Sequence, residues 1–145
     1  MDLPWTKQAI FTGDEIQKRS YSRMMRAGPL LFISGVGGRD ISKDRRPELI
    51  EETGYPLYFE EQARLVLKRL ALYCEQAGTS LKNTLWMTGY FLHPEDIDRW
   101  HKILEELSPF GDNGAPASSL VVVKRLHRKV MLLEVDAIVL IPEPA

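Results

Sequence analysis

The sequence predicts an α+β domain, and three observations carry that prediction. Two stretches repeat apolar residues at steps of three and four, as amphipathic helices do. Five shorter runs are rich in aliphatic, β-branched and aromatic residues, as strands are. The two kinds follow one another as strand, strand, helix, strand, helix, strand, strand. At 145 residues the chain fits one domain over 1–145; domains of this size hide about two thirds of their unfolded surface, enough for a sizeable core.

The first two strands, Tyr21 to Ala27 and Leu30 to Ser34, flank Gly28-Pro29, a strong turn dipeptide. The second is a short, nearly continuous apolar run, the pattern of a strand buried on both faces. From Val36 to about Leu57 the residues are Gly, Asp, Lys, Arg, Glu and Pro without periodicity. A loop of that length in a compact domain is usually functional, which places it at the border of a site. Phe59, Ala63, Val66, Leu67, Leu70, Cys74 and Ala77 make the first helical stripe, stopped by Gly78, which can take the left-handed cap conformation. Thr84 to Leu92 reads as a strand. Its alternation puts Trp86, Thr88, Tyr90 and Leu92 on one face and Met87, Gly89 and Phe91 on the other. Pro94-Glu-Asp opens the second helix with residues suited to a first turn, and Ile97, Trp100, Ile103, Leu104 and Leu107 form its stripe. Ser119 to Leu126 and Val130 to Ile141 read as two strands around the turn His127-Arg128-Lys129. Two helices cover only one face of such a sheet, while several strands are apolar on both. A second copy of the chain is therefore expected to cover the other face.

Composition excludes several classes of function. Hydrophobic residues make up 44% and charged residues 27%, with a formal net charge of −1, so nothing draws the whole molecule to nucleic acid or to an anionic membrane. Neither a basic-then-apolar leader nor 18 uninterrupted apolar residues occurs, so no signal peptide or membrane span is expected and the cytoplasm is the expected location. The single cysteine, Cys74, falls in a helical apolar pattern and reads as a buried structural thiol. His93, His101 and His127 show no metal-ligand spacing. Gly35-Val-Gly-Gly-Arg-Asp lacks the third glycine of a dinucleotide fingerprint and the Gly-Lys-Ser/Thr of a phosphate loop, and no Gly-x-Ser-x-Gly elbow surrounds Ser34. Neither a metal nor an organic cofactor is expected.

One set of motifs is specific when taken together: Tyr21 before the first hairpin, Leu31-Phe-Ile-Ser-Gly, Glu61-Gln62 opening the helix, Ala77-Gly-Thr-Ser-Leu, Gly114-Ala-Pro-Ala-Ser-Ser-Leu, and Val130-Met-Leu-Leu-Glu-Val-Asp-Ala-Ile. Over nearly its whole length the chain resembles the Rid (YjgF, endoribonuclease L-PSP) family. The resemblance implies a chorismate mutase-like, YjgF-like fold: a mixed sheet with two helices packed on one face, assembled as a homotrimer with a central barrel and small-molecule pockets between subunits. It further implies hydrolysis of an enamine or imine to a carbonyl compound and ammonia, an arginine gripping the substrate carboxylate and a glutamate placing water.

Carried across by position, the resemblance puts Tyr21, Ser34, Gly35, Ser118, Ser119 and Glu134 in the pocket. Glu134 is the implied catalytic acid or base, a role that burial suits by raising a carboxylic acid's pKa. Two positions depart from the family pattern. Ser118 stands where the family has its arginine, and His101 stands where many members carry an asparagine on the second helix. A histidine there brings acid or base capacity that asparagine lacks, although histidines at a core edge are more often structural. Candidates for the missing cation are Arg39, Arg23, Arg26 and Lys124. Arg39 is preferred because it follows Ser34-Gly-Val-Gly-Gly, where a backbone turn can face an anion, and a similar spacing occurs in the aminomuconate deaminase branch. A solvated arginine in a glycine turn is the equal alternative.

Three functions are thus weighed: an enamine or imine deaminase, pathway-specific and with an aminomuconate-like substrate as one form; a non-catalytic small-molecule-binding or regulatory trimer that lost the arginine; and RNA binding or cleavage. The last draws on Lys124, Arg125, His127, Arg128 and Lys129, but such a run is usually a solvated turn. It lacks interleaved aromatic residues on which bases could stack.

Overall fold

The computed structural model describes residues 5–10, 20–41 and 54–143. In chain order its elements are β1 (Lys7–Ile10), β2 (Met24–Ala27), β3 (Leu30–Gly37), α1 (Phe59–Gln76), β4 (Thr84–Phe91), α2 (Glu95–Leu107), β5 (Ala117–Val122) and β6 (Leu133–Leu140). The six strands form one mixed sheet in the order β1-β2-β3-β6-β4-β5. Every pairing is antiparallel except β4 with β5.

The helical stripes explain which face is covered. Phe59, Ala63, Val66, Leu67, Leu70 and Cys74 of α1, and Trp100 and Ile103 of α2, are buried in one core with Leu31, Ile33, Met87, Phe91, Leu133, Val135, Ala137 and Val139 of the sheet. Ile97 and Leu104 pack at its margin, while Leu107 is exposed beyond the helix's buried face. Gly78 ends α1 at φ +82°. The Thr79 amide donates to the Cys74 carbonyl at 2.8 Å and the Gly78 amide to the Glu75 carbonyl at 3.1 Å, so the last free carbonyls of the helix are capped by the following turn. Burial pushes the Cys74 thiol up to about 12, which leaves it protonated and inert at neutral pH.

Three sequence readings are corrected. The last two strands are not a hairpin: β5 lies parallel to β4, joined to it through α2, while β6 runs antiparallel between β3 and β4. A parallel pair needs a crossover, and α2 supplies it; the basic segment 123–132 is the return connection, not a tight turn. The first hairpin strand starts at Met24 rather than Tyr21, and β3 continues past Ser34 to Gly37 through a bulge. Lys7–Ile10, not anticipated as a strand, pairs with β2 at the sheet edge. Of the loop expected from Val36 to Leu57, residues 42–53 lie outside the described residues.

On β6 the burial alternates strictly: Leu133, Val135, Ala137 and Val139 turn to the helices, and Glu134, Asp136, Ile138 and Leu140 to the other face. That second face is open. Phe32 is 41% exposed on it and Trp86 37%, and Val121 of the edge strand β5 is 41% exposed. The apolar second face expected from the sequence is therefore present.

Candidate functional site

The bulge in β3 shapes the site. Ile33 pairs with Ala137 and Val36 with Val135, so Ser34 and Gly35 together stand opposite the single residue Asp136. The freed backbone is held from both sides. The Ser34 hydroxyl donates to the Ser22 carbonyl at 2.6 Å, and the Arg23 guanidinium donates to the carbonyls of Gly35 at 2.8 Å and Ser34 at 3.3 Å. Arg23 is itself buried, its guanidinium carbon 5.6 Å from the centre of the Tyr73 ring on α1. It supports the bulge from the helix side.

Gly35 makes room for Glu134. A Cβ at position 35 would lie 2.6 Å from Cδ of Glu134 and 2.8 Å from Oε2, so the carboxyl group occupies the space a side chain would fill. Burial pushes the Glu134 carboxyl above its ordinary range. The buried Arg23 guanidinium opposes that rise, the neighbouring Asp136 adds to it, and His127 opposes it. The result is a half-buried acid that holds its proton more tightly than a solvated glutamate.

Around this acid the open face forms a cavity of about 700 Å³ lined by Tyr21, Phe32, Ile33, Ser34, Gly35, Trp86, Thr88, His127, Glu134, Asp136, Ala137 and Ile138. The Tyr90 hydroxyl of β4 donates to Asp136 Oδ2 of β6 at 3.1 Å, tying the two strands, and within β4 Trp86 Nε1 donates to Thr88 Oγ1 at 2.9 Å. His127 reaches the cavity from the segment 123–132. That segment is anchored by Gln62, buried at the start of α1, whose side-chain amide donates to the carbonyls of Pro56 and Val130 and accepts from the Leu132 amide.

Of the residues singled out in the sequence, Tyr21, Ser34, Gly35 and Glu134 come together here. The others are elsewhere in the chain. Ser118 pairs with Met87, whose side chain faces the helices, so position 118 lies on the opposite side of the sheet from the cavity; Ser119 pairs with Thr88 and shares the open face without lining the cavity. His101, exposed on α2, borders a separate groove of about 260 Å³ with Leu104, Glu105 and Phe110. Arg39 is buried against α1 beside Arg69 and Leu72, at another cavity of about 320 Å³. Asp136, Thr88 and Phe32 line this cavity without having been singled out in the sequence, and Trp86 and His127 line it too. The period-two alternation through Glu134, Asp136 and Ile138 is the signal that points to Asp136, and the same alternation groups Trp86 with Thr88. Among the described residues no three His, Cys, Asp or Glu side chains are placed to hold a metal ion, and no helix is long and apolar enough to cross a membrane.

The family model described as endoribonuclease L-PSP matches residues 12–141. A RutC family protein of Pyrococcus horikoshii is 30% identical over 133 residues, 91% of this chain and 96% of that protein; one of Pyrococcus abyssi is 29% identical over 91% and 95%. Among solved structures, the Rid family protein YyfA of Yersinia pestis superposes with a TM-score of 0.78 at 23% identity, covering 93% of this chain and 99% of that one. RidA of an Antarctic Psychrobacter superposes with a TM-score of 0.73 at 23%, covering 92% and 98%. At such identities the structural likeness establishes the fold.

Proposed function

The chain belongs to the endoribonuclease L-PSP (Rid/YjgF) family, and from that premise we propose that it hydrolyses a small enamine or imine, as a homotrimer whose pockets lie between subunits. The observation that carries this reading is Glu134: an acid half-buried at the cavity wall, seated against Gly35 and pushed up by burial. A carboxylic acid whose pKa burial has raised can give its proton to an imine nitrogen, forming the iminium and a carboxylate. The carboxylate then takes a proton from a water as its oxygen attacks the iminium carbon, giving the carbinolamine and restoring the acid. Protonation of the nitrogen, with loss of the hydroxyl proton, breaks the C–N bond and releases amine and carbonyl compound. No external oxidant or reductant enters.

The test follows the decay of freshly generated 2-iminopropionate and of N-benzylidenemethylamine with and without the protein. Acceleration of either substrate, reduced about a hundredfold or more in Glu134→Ala, is the expected result, since a placed general acid–base contributes about 10²–10⁴-fold. Acceleration that survives the substitution overturns the role of Glu134. No acceleration of either imine overturns the hydrolase reading and favours the non-catalytic binding trimer, which the serine at position 118 in place of an arginine supports.

A further inference from the structure

The bulge that makes the site is held from behind. Arg23, which precedes β2 and is 7% exposed, donates from one nitrogen, Nη1, to the carbonyls of Gly35 at 2.8 Å and Ser34 at 3.3 Å. Two residues on, the Gly37 carbonyl accepts at 2.8 Å from the buried Arg69 of α1, whose Nε and Nη2 also donate to the Tyr73 hydroxyl. Both guanidinium carbons lie 5.6 Å from the centre of the fully buried Tyr73 ring. β3 is thereby tied to α1 along the stretch in which it departs from regular pairing.

A neutral side-chain amide could donate to those carbonyls without burying a charge. Arg23 buries one, and among the described residues its enclosed Nε has no hydrogen-bond partner; both features cost stability. What the guanidinium adds over a neutral donor is a permanent positive charge. Gly35 stands between that charge and the acid: its carbonyl accepts from Arg23, and the Glu134 carboxyl fills the space where its Cβ would be. Burial pushes the Glu134 carboxyl up, Arg23 is the foremost influence against that rise, Asp136 of β6 adds to it, and His127 of the return segment opposes it. Tyr90 of β4 and Tyr55, ahead of α1, face the same acid. A general acid works best when its pKa lies near the working pH, so a buried carboxyl with no opposing charge would keep its proton too well to give it up.

Resting on the imine-hydrolase reading, we infer that Arg23 is a positioning residue for that reaction: its hydrogen bonds fix the recess at Gly35 in which the Glu134 carboxyl sits, and its buried charge faces the acid across the bulge. It acts through Glu134 rather than on the substrate.

Substitutions at Arg23 separate place from charge. Arg23→Lys keeps a charge and a donor, Arg23→Gln keeps a donor alone, and Arg23→Met keeps neither. An NMR titration of the Glu134 carboxyl carbon, its signal assigned by its loss in Glu134→Gln, reads the charge directly and needs no turnover. Glu134 is expected to titrate at higher pH in Arg23→Gln than in wild type, and close to wild type in Arg23→Lys. The limb of the kcat/KM profile for 2-iminopropionate that falls as pH rises should move up with it in Arg23→Gln, since the protonated acid is the form that starts the reaction. Arg23→Met, which releases the bulge carbonyls, should lower kcat about tenfold to a hundredfold, because a misplacement of about 1 Å can cost about a hundredfold. A Glu134 titration in Arg23→Gln at or below that of wild type, an equal rise in Arg23→Lys, or a folded Arg23→Met with wild-type kcat overturns the inference; the comparison of Arg23→Lys with Arg23→Gln decides should Arg23→Met not fold. The catalytic reading fails separately. The expected titrations without imine hydrolysis by wild type remove the hydrolase and leave Arg23 acting on Glu134, whereas hydrolysis that needs Glu134, with its titration unmoved by Arg23→Gln, keeps the hydrolase and removes the role of Arg23.

Discussion

Glu134 stands in an environment that favours its neutral form, and that has a consequence for stability as well as chemistry. The folded state holds the Glu134 proton more tightly than the unfolded chain does, because burial raises the carboxyl pKa in the native state. Its contribution to stability is therefore full below the unfolded pKa and is lost as pH rises through the interval up to the folded pKa. Above that interval the native state carries a partly desolvated carboxylate beside Asp136. Glu134→Gln removes the titration while keeping shape and hydrogen-bonding capacity. The variant is expected to be more stable than wild type at neutral pH, with the advantage vanishing in acid below the ordinary carboxylate range. Urea unfolding at the two pH values measures it, and a variant less stable than wild type at neutral pH would refute the account. Glu134 and Gly35 were both legible from the sequence through the family motifs, yet their dependence on each other was not: only the bulge shows that the glycine at 35 is the space the acid occupies.

At the level of elements, the site depends on a connection as much as on the sheet. The segment 123–132 carries His127 to the cavity, and Gln62 holds it to α1 with two hydrogen bonds, to Val130 and from Leu132, while a third reaches Pro56. Replacing Gln62 by Leu would remove the partner of the Leu132 amide and of the carbonyls of Pro56 and Val130 in a partly buried setting, where an unsatisfied group costs up to about 1–3 kcal/mol. Gln62→Leu should accordingly lower the urea midpoint by an amount equivalent to at least about 2 kcal/mol at unchanged slope; a loss within about 0.5 kcal/mol, the usual effect of a surface change, would show that the anchor is dispensable. The helices, Gly78 and β4 could be read locally because their signals are local: period, cap and β-branched run. The β4–β5 pairing could not, since a basic turn between two apolar runs looks the same whether the runs pair with each other or part to opposite sides of β4. Likewise Ser34 and Gly35 weakened the strand signal of β3 at the very point where the bulge makes the site.

For the whole molecule, the decisive fact is that two helices cover one face of a six-stranded sheet and leave Phe32, Trp86 and Val121 exposed on the other. Scattered apolar residues on a surface are ordinary, but these lie on one face across several strands, next to β5, which among the described residues pairs along one side only. A homotrimer that turns these faces inward hides them and closes the cavity around Glu134. Sedimentation equilibrium should give the mass of three chains. Val121→Lys, at an exposed position where folding is little affected, should shift that mass toward one chain by placing a charge in the apolar contact. If the sites lie between subunits, turnover should fall in step with dissociation while far-ultraviolet circular dichroism stays unchanged. A wild-type protein that sediments as a single chain, or a dissociated variant that keeps full turnover, would place the complete site within one subunit and leave the open face without the role assigned to it.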